Sequence, residues 1–494
     1  MLIRKHLPKA FLIITSFLAL ISCDSNKSEA VEELEKKTNI IFILADDLGY
    51  GDLSFLGQEY IETPNIDRLA KEGMFFTNHY SGATVCAPSR SSFLTGLHTG
   101  HTPIRGNREV QPEGQYPMPD SIPSIAKVME SAGYITGAFG KWGLGFIGTT
   151  GDPNNQGFDQ FYGYNCQRYA HRYYPAHLWH NEEKVMLEGN GWEEKNVYAP
   201  DQIQQETISF IENNKDNPFF LYMPIVMPHA ELASPEDEVF QKYRAKFGDE
   251  KAFPAREGSE YGPELNISAY QSQPYPHATF AAMVERIDAY VGEVLAKLNE
   301  LGLAENTLII FASDNGAHQE GGADPDFFDS NGPFRGHKRD LYEGGVRTPM
   351  IAWWPGKVKA GSQSDHISAF WDLLPTFADV AGASIPEGID GISFLPALQG
   401  KSDQKKHDYL YWEFHEQGGK QAVRQGKWKA VKLHVFGGGE PTIELYDLRV
   451  DIGEENNIAA ENPEKVKELE GLMNSSHNSN PIFGLLPSER NTGE

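Results

Sequence analysis

Cys86 stands where the chain leaves a turn and enters a helix, with Pro88 and Ser89 suited to the first helical positions. Arg90 follows four residues later, one helical turn on and on the same face. A reactive group, a neighbouring cation and free backbone N–H donors together favour an anion. Asp46-Asp47 and Asp314-Asn315 offer oxygen donors only, which suit a hard cation, Ca²⁺ or Mg²⁺, over zinc. No His–His or Cys–His spacing of a zinc site accompanies them. His229 is able to give a proton to a leaving alcohol near neutral pH. Each stretch alone also has an ordinary reading: a buried cysteine, acidic turn formers, a structural histidine.

These side chains need elements to position them, and the chain alternates helices with short apolar strands, the mark of a mostly parallel α/β sheet. Residues 40–45, 134–139, 219–222, 307–311 and 350–354 read as strands. Residues 64–72, 124–132, 201–213 and 279–301 read as helices, the first with Thr63 as N-cap, Pro64 at its first position and Gly73 as its stop. Polar clusters follow the strands: Asp46-Asp47, Lys141, His229 after a short loop, and Asp314-Asn315. Ligands of open α/β sheets bind beyond the carboxyl ends of the strands, so the four clusters are expected on one edge. From about Lys401 the texture changes to short strands at 409–414, 421–424 and 442–446 and a last helix at 463–472. That predicts a smaller C-terminal α+β domain with an antiparallel sheet.

The run from Cys86 to Gly96 resembles the C-x-P-S-R-x-x-x-L-T-G signature of the type I, formylglycine-dependent sulfatases of the alkaline phosphatase superfamily. Gly140 to Gly145 is similar to that family's G-K-W-H-L-G element, Pro228-His229 to its P-H element, and Lys338 to Pro349 to K-x-x-x-x-E-G-G-x-R-x-P. The likeness extends from Asn39 to about Ala460. It implies an alkaline-phosphatase-like fold and a Cys86 oxidised by a formylglycine-generating maturation enzyme. It also implies a divalent ion, usually calcium, held by Asp46, Asp47, Cys86, Asp314 and Asn315. The matched catalytic residues are Cys86, Arg90, Lys141, His229 and Lys338, with Lys141, His229 and Lys338 on the substrate and Arg347 supporting the loop. The implied reaction is sulfate-ester hydrolysis. An oxygen of the hydrated aldehyde attacks sulfur, the cations stabilise the sulfate oxygens, and His229 protonates the departing alcohol. The second hydroxyl then expels sulfate, an exit that an unmodified serine or cysteine lacks.

The chain departs from the pattern at Gly143, where the family has histidine. His171 and His177 lie in an aromatic stretch, residues 169–177, suited to stacking a sugar ring, and are the candidates for further substrate contacts; ordinary loop histidines are the alternative. His415 and Glu416 are weaker candidates for closing the same pocket.

With 494 residues and a formal charge of −26, the chain is globular in composition and a poor partner for nucleic acid. An anionic substrate then requires a local cationic pocket, which Arg90, Lys141 and Lys338 would provide. Arg4, Lys5 and Lys9 precede an apolar run at residues 10–21, too short for a permanent membrane span. The end of that run, Leu20-Ile21-Ser22-Cys23, resembles the lipobox of bacterial lipoproteins, with an ordinary cleaved signal peptide as the alternative. The expected organisation is a leader at 1–22, lipidation at Cys23, a tether at 23–38, a catalytic domain at 39–400 and the C-terminal subdomain at 401–494. That places the protein outside the cytoplasm of a bacterium, periplasmic or at the cell surface, touching membrane only through its lipid. Cys86 and Cys166 alone remain beyond Cys23, too few for a disulfide scaffold. The expected substrate is a sulfated carbohydrate of galactose or N-acetylgalactosamine type. A formylglycine-dependent phosphonate or phosphate ester hydrolase of the same fold is the nearest alternative, and an inactive glycan-binding lipoprotein the more distant one.

Overall fold

A computed structural model describes residues 36–191, 194–255 and 270–490. The expected leader, Cys23 and most of the tether lie outside the described residues. Among the described residues no helix is long and apolar enough to cross a membrane.

Ten strands form one mixed sheet. In chain order they are β1 (Asn39–Asp46), β2 (Met74–Phe76), β3 (Ile135–Lys141), β4 (Gln160–Tyr164), β5 (His177–His180), β6 (Glu183–Met186), β7 (Phe219–Pro228), β8 (Thr307–Ser313), β9 (Met350–Trp353) and β10 (Ser362–Ser364). Their order across the sheet is β10-β2-β9-β8-β1-β7-β3-β4-β5-β6. The central run β8-β1-β7-β3-β4 is parallel throughout, with antiparallel strands added on both sides. This is the expected α/β class. The apolar runs are continuous because both faces are covered. Ile41, Ile43 and Ala45 of β1 enter one core, and Ile40, Phe42 and Leu44 enter the other. Helices α1 (Pro64–Glu72), α4 (Ala199–Asn213) and α5 (Pro276–Glu300) fill the first core with residues such as Leu69, Phe210 and Ile287. Helices α2 (Cys86–Thr95), α3 (Ile125–Ser131) and α6 (Leu373–Ala381) fill the second with Phe93, Met129 and Phe377.

The sequence reading falls short at several strands. β7 runs on to Pro228 and so carries the chain directly to His229. β4, β5 and β6, where aromatic and polar residues mix, had no expectation at all.

The C-terminal sheet is a four-stranded antiparallel meander, β11 (Leu410–Phe414), β12 (Lys420–Gln425), β13 (Trp428–Leu433) and β14 (Thr442–Asp447). Strand alternation gives it two apolar faces. Tyr411, Val423 and Leu445 pack on Leu469 and Met473 of α7 (Pro463–Ser476). Trp412, Phe414 and Val431 pack on Tyr80, Leu341 and Trp371 of the larger sheet's loops. β13 was missed because Lys429 and Lys432 interrupt its apolar pattern.

Lys429 is fully buried, and its Nζ donates to Glu343 Oε1 at 2.8 Å and lies 3.3 Å from Glu454 Oε1. Glu343 Oε2 accepts from Tyr80 Oη at 2.6 Å and from Arg347 at 3.1 Å. Burial alone would raise the Glu343 carboxyl, but Lys429, Arg347 and Arg424 outweigh it and bring it down to about 2. Replacing Lys429 by methionine leaves Glu343 and Glu454 buried without their shared cation. The expected loss is ~3–5 kcal/mol of unfolding free energy by urea titration, and a loss below ~1 kcal/mol would refute the role of this ion pair.

Candidate active site

The carboxyl ends of β1, β3, β7 and β8 converge, and the loop after β8 folds over them. Adjacent carboxylates on a regular strand face opposite ways. Here the β1–β7 register slips between Leu44 and Asp46, and Asp47 takes a positive φ of 65°. Both departures turn Asp46 and Asp47 toward one point. Cys86 Sγ, at the first residue of α2, lies 3.2 Å from Asp46 Oδ1 and 3.9 Å from Asp47 Oδ1. Asp314 and Asn315 arrive from β8, next to β1: Asp314 Oδ1 accepts the Asp47 amide at 3.1 Å, and Asn315 Nδ2 donates to Asp47 Oδ1 at 2.7 Å.

Three cations close round these acids. Lys141 Nζ, at the end of β3, donates to Asp46 Oδ2 at 2.6 Å. Arg90 donates to Asp314 Oδ2 through Nε at 3.3 Å and Nη2 at 3.2 Å, and to the Lys141 carbonyl through Nη1. Lys338 Nζ donates to Asp47 Oδ2 at 2.7 Å and to His229 Nε2 at 3.1 Å.

The Lys338 loop reaches the site because glycine permits a close approach: a Cβ on Gly316 would lie 1.8 Å from the Gly344 carbonyl oxygen. Its neighbour Arg339 donates its amide to the Thr84 carbonyl at 3.1 Å, tying the loop to the turn before Cys86. Lys420 of β12 holds the loop's other side, donating to the Arg339 carbonyl at 2.8 Å and to Asp340 at 2.9 Å.

His229 follows β7, and its carbonyl accepts from Tyr173 Oη at 2.7 Å. Its Nδ1–H donates to the Ala230 carbonyl, which leaves Nε2 as the acceptor for Lys338. Burial, then Lys338 and Lys141, hold the imidazole well below its usual pKa, so it is neutral at pH 7. His171 stacks on it with ring centroids 4.8 Å apart, and His171 Nδ1 has no partner among the described residues.

His177 is not brought to this cluster. Its Nε2 is bonded to Glu113 at 2.9 Å and its Nδ1 to Tyr169 Oη at 3.1 Å. His415 is bonded to Glu413, which also binds Arg105 and His477, and Glu416 is exposed. His318 and Glu320 also approach Asp47, a group the sequence reading overlooked although it lies just past Asn315.

The donors fit a divalent cation. Burial raises the Asp314 carboxyl and Asp46 raises it further, to about 7 despite Arg90, so the acids crowd one another. Asn315 Oδ1 is buried with no hydrogen-bond partner among the described residues. An oxygen-coordinated ion of two positive charges would relieve both conditions. Among the protein's own groups, burial and Asp46 push the Cys86 thiol well up, so it stays protonated.

The family model described as Sulfatase matches residues 38–383, and the one described as N-sulphoglucosamine sulphohydrolase, C-terminal, matches residues 334–478. The chain is 32% identical to N-acetylgalactosamine-6-sulfatase of Canis lupus familiaris over 389 residues, 73% of this chain and 66% of that one. It thus spans just under two-thirds of that relative's length. It is 30% identical to arylsulfatase A of Homo sapiens, covering 92% of this chain and 91% of that one. A crystal structure of Ps i-CgsB in complex with k-i-k-neocarrahexaose superposes with a TM-score of 0.74 at 29% identity, covering 92% of this chain and 96% of that one.

Proposed function

The chain belongs to the sulfatase family, and from that premise we propose that it hydrolyses the sulfate ester of a sulfated carbohydrate, of galactose or N-acetylgalactosamine type. The observation that carries this reading is the convergence of three buried cations and three carboxylates around Cys86. The relative named N-acetylgalactosamine-6-sulfatase and the solved neighbour in complex with k-i-k-neocarrahexaose support the sugar class.

Asp46, Asp47, Asp314 and Asn315 would hold a divalent ion, Ca²⁺ before Mg²⁺, whose charge would draw electron density from the sulfate oxygens. Cys86, oxidised by a formylglycine-generating enzyme, would supply as its hydrate the oxygen that attacks sulfur and the hydroxyl that later expels sulfate. The rest falls to the chain's own residues. Lys141 and Lys338 bind the sulfate oxygens, exchanging carboxylate partners for a ligand of the same sign. Arg90 keeps its bonds to Asp314 and the Lys141 carbonyl, and so fixes the geometry of both. His229 presents Nε2 to the leaving oxygen. The bound sulfate offsets the lysine charges that, after burial, depress this imidazole, and so favours the imidazolium needed to protonate the alcohol. Proton transfer to the alkoxide as the S–O bond breaks leaves the free hydroxyl of the sugar.

An exported, lipid-anchored enzyme meeting a polymer outside the cytoplasm is consistent with this role, and the leader motif remains its support.

The test compares enzyme matured in a host that converts Cys86 on 4-nitrophenyl sulfate, 4-nitrophenyl phosphate and a phenylphosphonate ester, and on defined sulfated galactose and N-acetylgalactosamine sugars. The expected kcat/KM for sulfate esters exceeds that for the phosphorus esters by at least about 100-fold. Predominant turnover of the phosphonate would overturn the reading.

A further inference from the structure

Gly143 lies two residues past the end of β3, in the left-handed region at φ 76°. A Cβ on it would lie 2.4 Å from Cγ and 2.9 Å from Cδ of Gln167. The space open to a side chain at position 143 is therefore filled by the arm of Gln167, which reaches in from the segment after β4 and is buried. The Gln167 amide N–H donates to Gln115 Oε1 at 2.7 Å, and its Nε2 donates to Asn107 Oδ1 at 3.1 Å. The same Asn107 oxygen accepts the amide N–H of Ala87 at 3.2 Å.

Ala87 is the second residue of α2, immediately after Cys86. Amides in the first turn of a helix have no acceptor within the helix, and their direction follows whatever group caps them. Here the acceptor is Asn107, and Asn107 is held in turn by Gln167. A chain of two hydrogen bonds thus connects Gln167, packed in the space beside Gly143, to the turn that aims the Cys86 side chain. The carbonyl of Asn165 accepts the Gly143 N–H at 3.1 Å. The Asn165 carboxamide is buried with neither its oxygen nor its nitrogen partnered among the described residues.

Three carboxamides from two segments, Asn107 from one and Asn165 and Gln167 from the segment after β4, therefore gather where Gly143 contributes no side chain. Carboxamides orient hydroxyl and N–H groups but take up no proton in the working pH range.

We propose that Gln167 is a positioning residue for Cys86, acting through Asn107 on the first turn of α2 in the space that Gly143 leaves open. The reaction in which its effect is measured rests on the sulfatase reading; the tether itself does not. Losing the tether lets the first turn of α2 shift or fray. Displacement of a reacting group by about 1 Å costs up to roughly 100-fold in rate, with little effect on binding by residues elsewhere.

The experiment takes the full, matured chain and the variants Gln167→Ala, Gln167→Glu, Asn107→Ala and the double Gln167→Ala/Asn107→Ala. Gln167→Glu keeps the volume and removes the Nε2 donor, so it separates the bond from the filling of space. Each single variant is expected to lower kcat on 4-nitrophenyl sulfate by about 10- to 100-fold, with KM within about threefold of wild type. Amide hydrogen exchange in the peptide spanning residues 85–92 is expected to quicken in all of them. The double variant is expected to be no slower than the poorer single variant, since both act through one chain of bonds.

Wild-type kcat and exchange in Gln167→Glu would overturn the proposal, and so would losses in kcat that multiply in the double variant. A matured wild type that turned over no sulfate ester would sink the sulfatase reading. The exchange measurement would still decide the tether.

Discussion

Cys86→Ser is expected to lower kcat by at least about 10⁴-fold, as removal of a nucleophile does elsewhere, while the protein melts where the wild type does. The two side chains are close in size, so the fold has little reason to respond. The chemistry has every reason to. A serine oxygen in this position can take the sulfo group from an ester as the sugar alcohol departs with its proton. It then has no second hydroxyl on the same carbon to push that group out. Incubated with substrate, the variant should therefore release at most one equivalent of alcohol and gain the mass of one sulfo group, read by intact-mass spectrometry. Sustained multiple turnover by Cys86→Ser would refute the proposed role of the oxidised residue.

Asp47→Ala is the second large effect, because four separate interactions meet on this carboxylate. It accepts from Lys338 at 2.7 Å and Asn315 at 2.7 Å, and lies 3.5 Å from His229 Nε2 and 3.9 Å from Cys86 Sγ. Its removal takes a donor from the proposed ion site and strands the buried ammonium of Lys338. We expect kcat/KM to fall by at least about 10³-fold. Bound calcium, measured by elemental analysis of dialysed protein, should drop well below one per chain. The backbone adds a useful control. Asp47 sits at φ 65°, where asparagine is tolerated far better than alanine, so Asp47→Asn should recover stability without recovering activity. A variant that retained calcium and lost only activity would move Asp47 out of the ion site.

Local pattern revealed the sheet and most of the acids and cations around Cys86, because a buried strand ending in a charged residue is a local signal. Asp46, Lys141 and Asp314 each sit within one residue of a strand end. The position of Lys338 had no such signal. It reaches Asp47 across 291 residues, through a loop closed by the Gly316–Gly344 approach and braced by Lys420, 80 residues beyond Asp340. His177 shows the opposite case. Its aromatic surroundings suggest a sugar platform, yet Glu113, 64 residues earlier, engages its ring. Gln167 drew no attention because a lone glutamine after a strand is unremarkable in sequence. Its meaning arises only where its arm enters the space beside Gly143. Lys429 misled for a related reason: a lysine in a strand reads as solvent-facing until two glutamates from distant segments are found buried against it.

The burial of Cys86 also sets a timetable for the life of the molecule. In the folded protein the residue is 1% exposed, at the start of a helix buried along its whole length. On the maturation proposed above, a modifying enzyme cannot reach this thiol in the folded protein, so the proposed conversion would precede folding, before β1 and β8 close over the site. A chain that folded first would keep its thiol, and a uniformly folded preparation would then be a mixture of competent and silent copies.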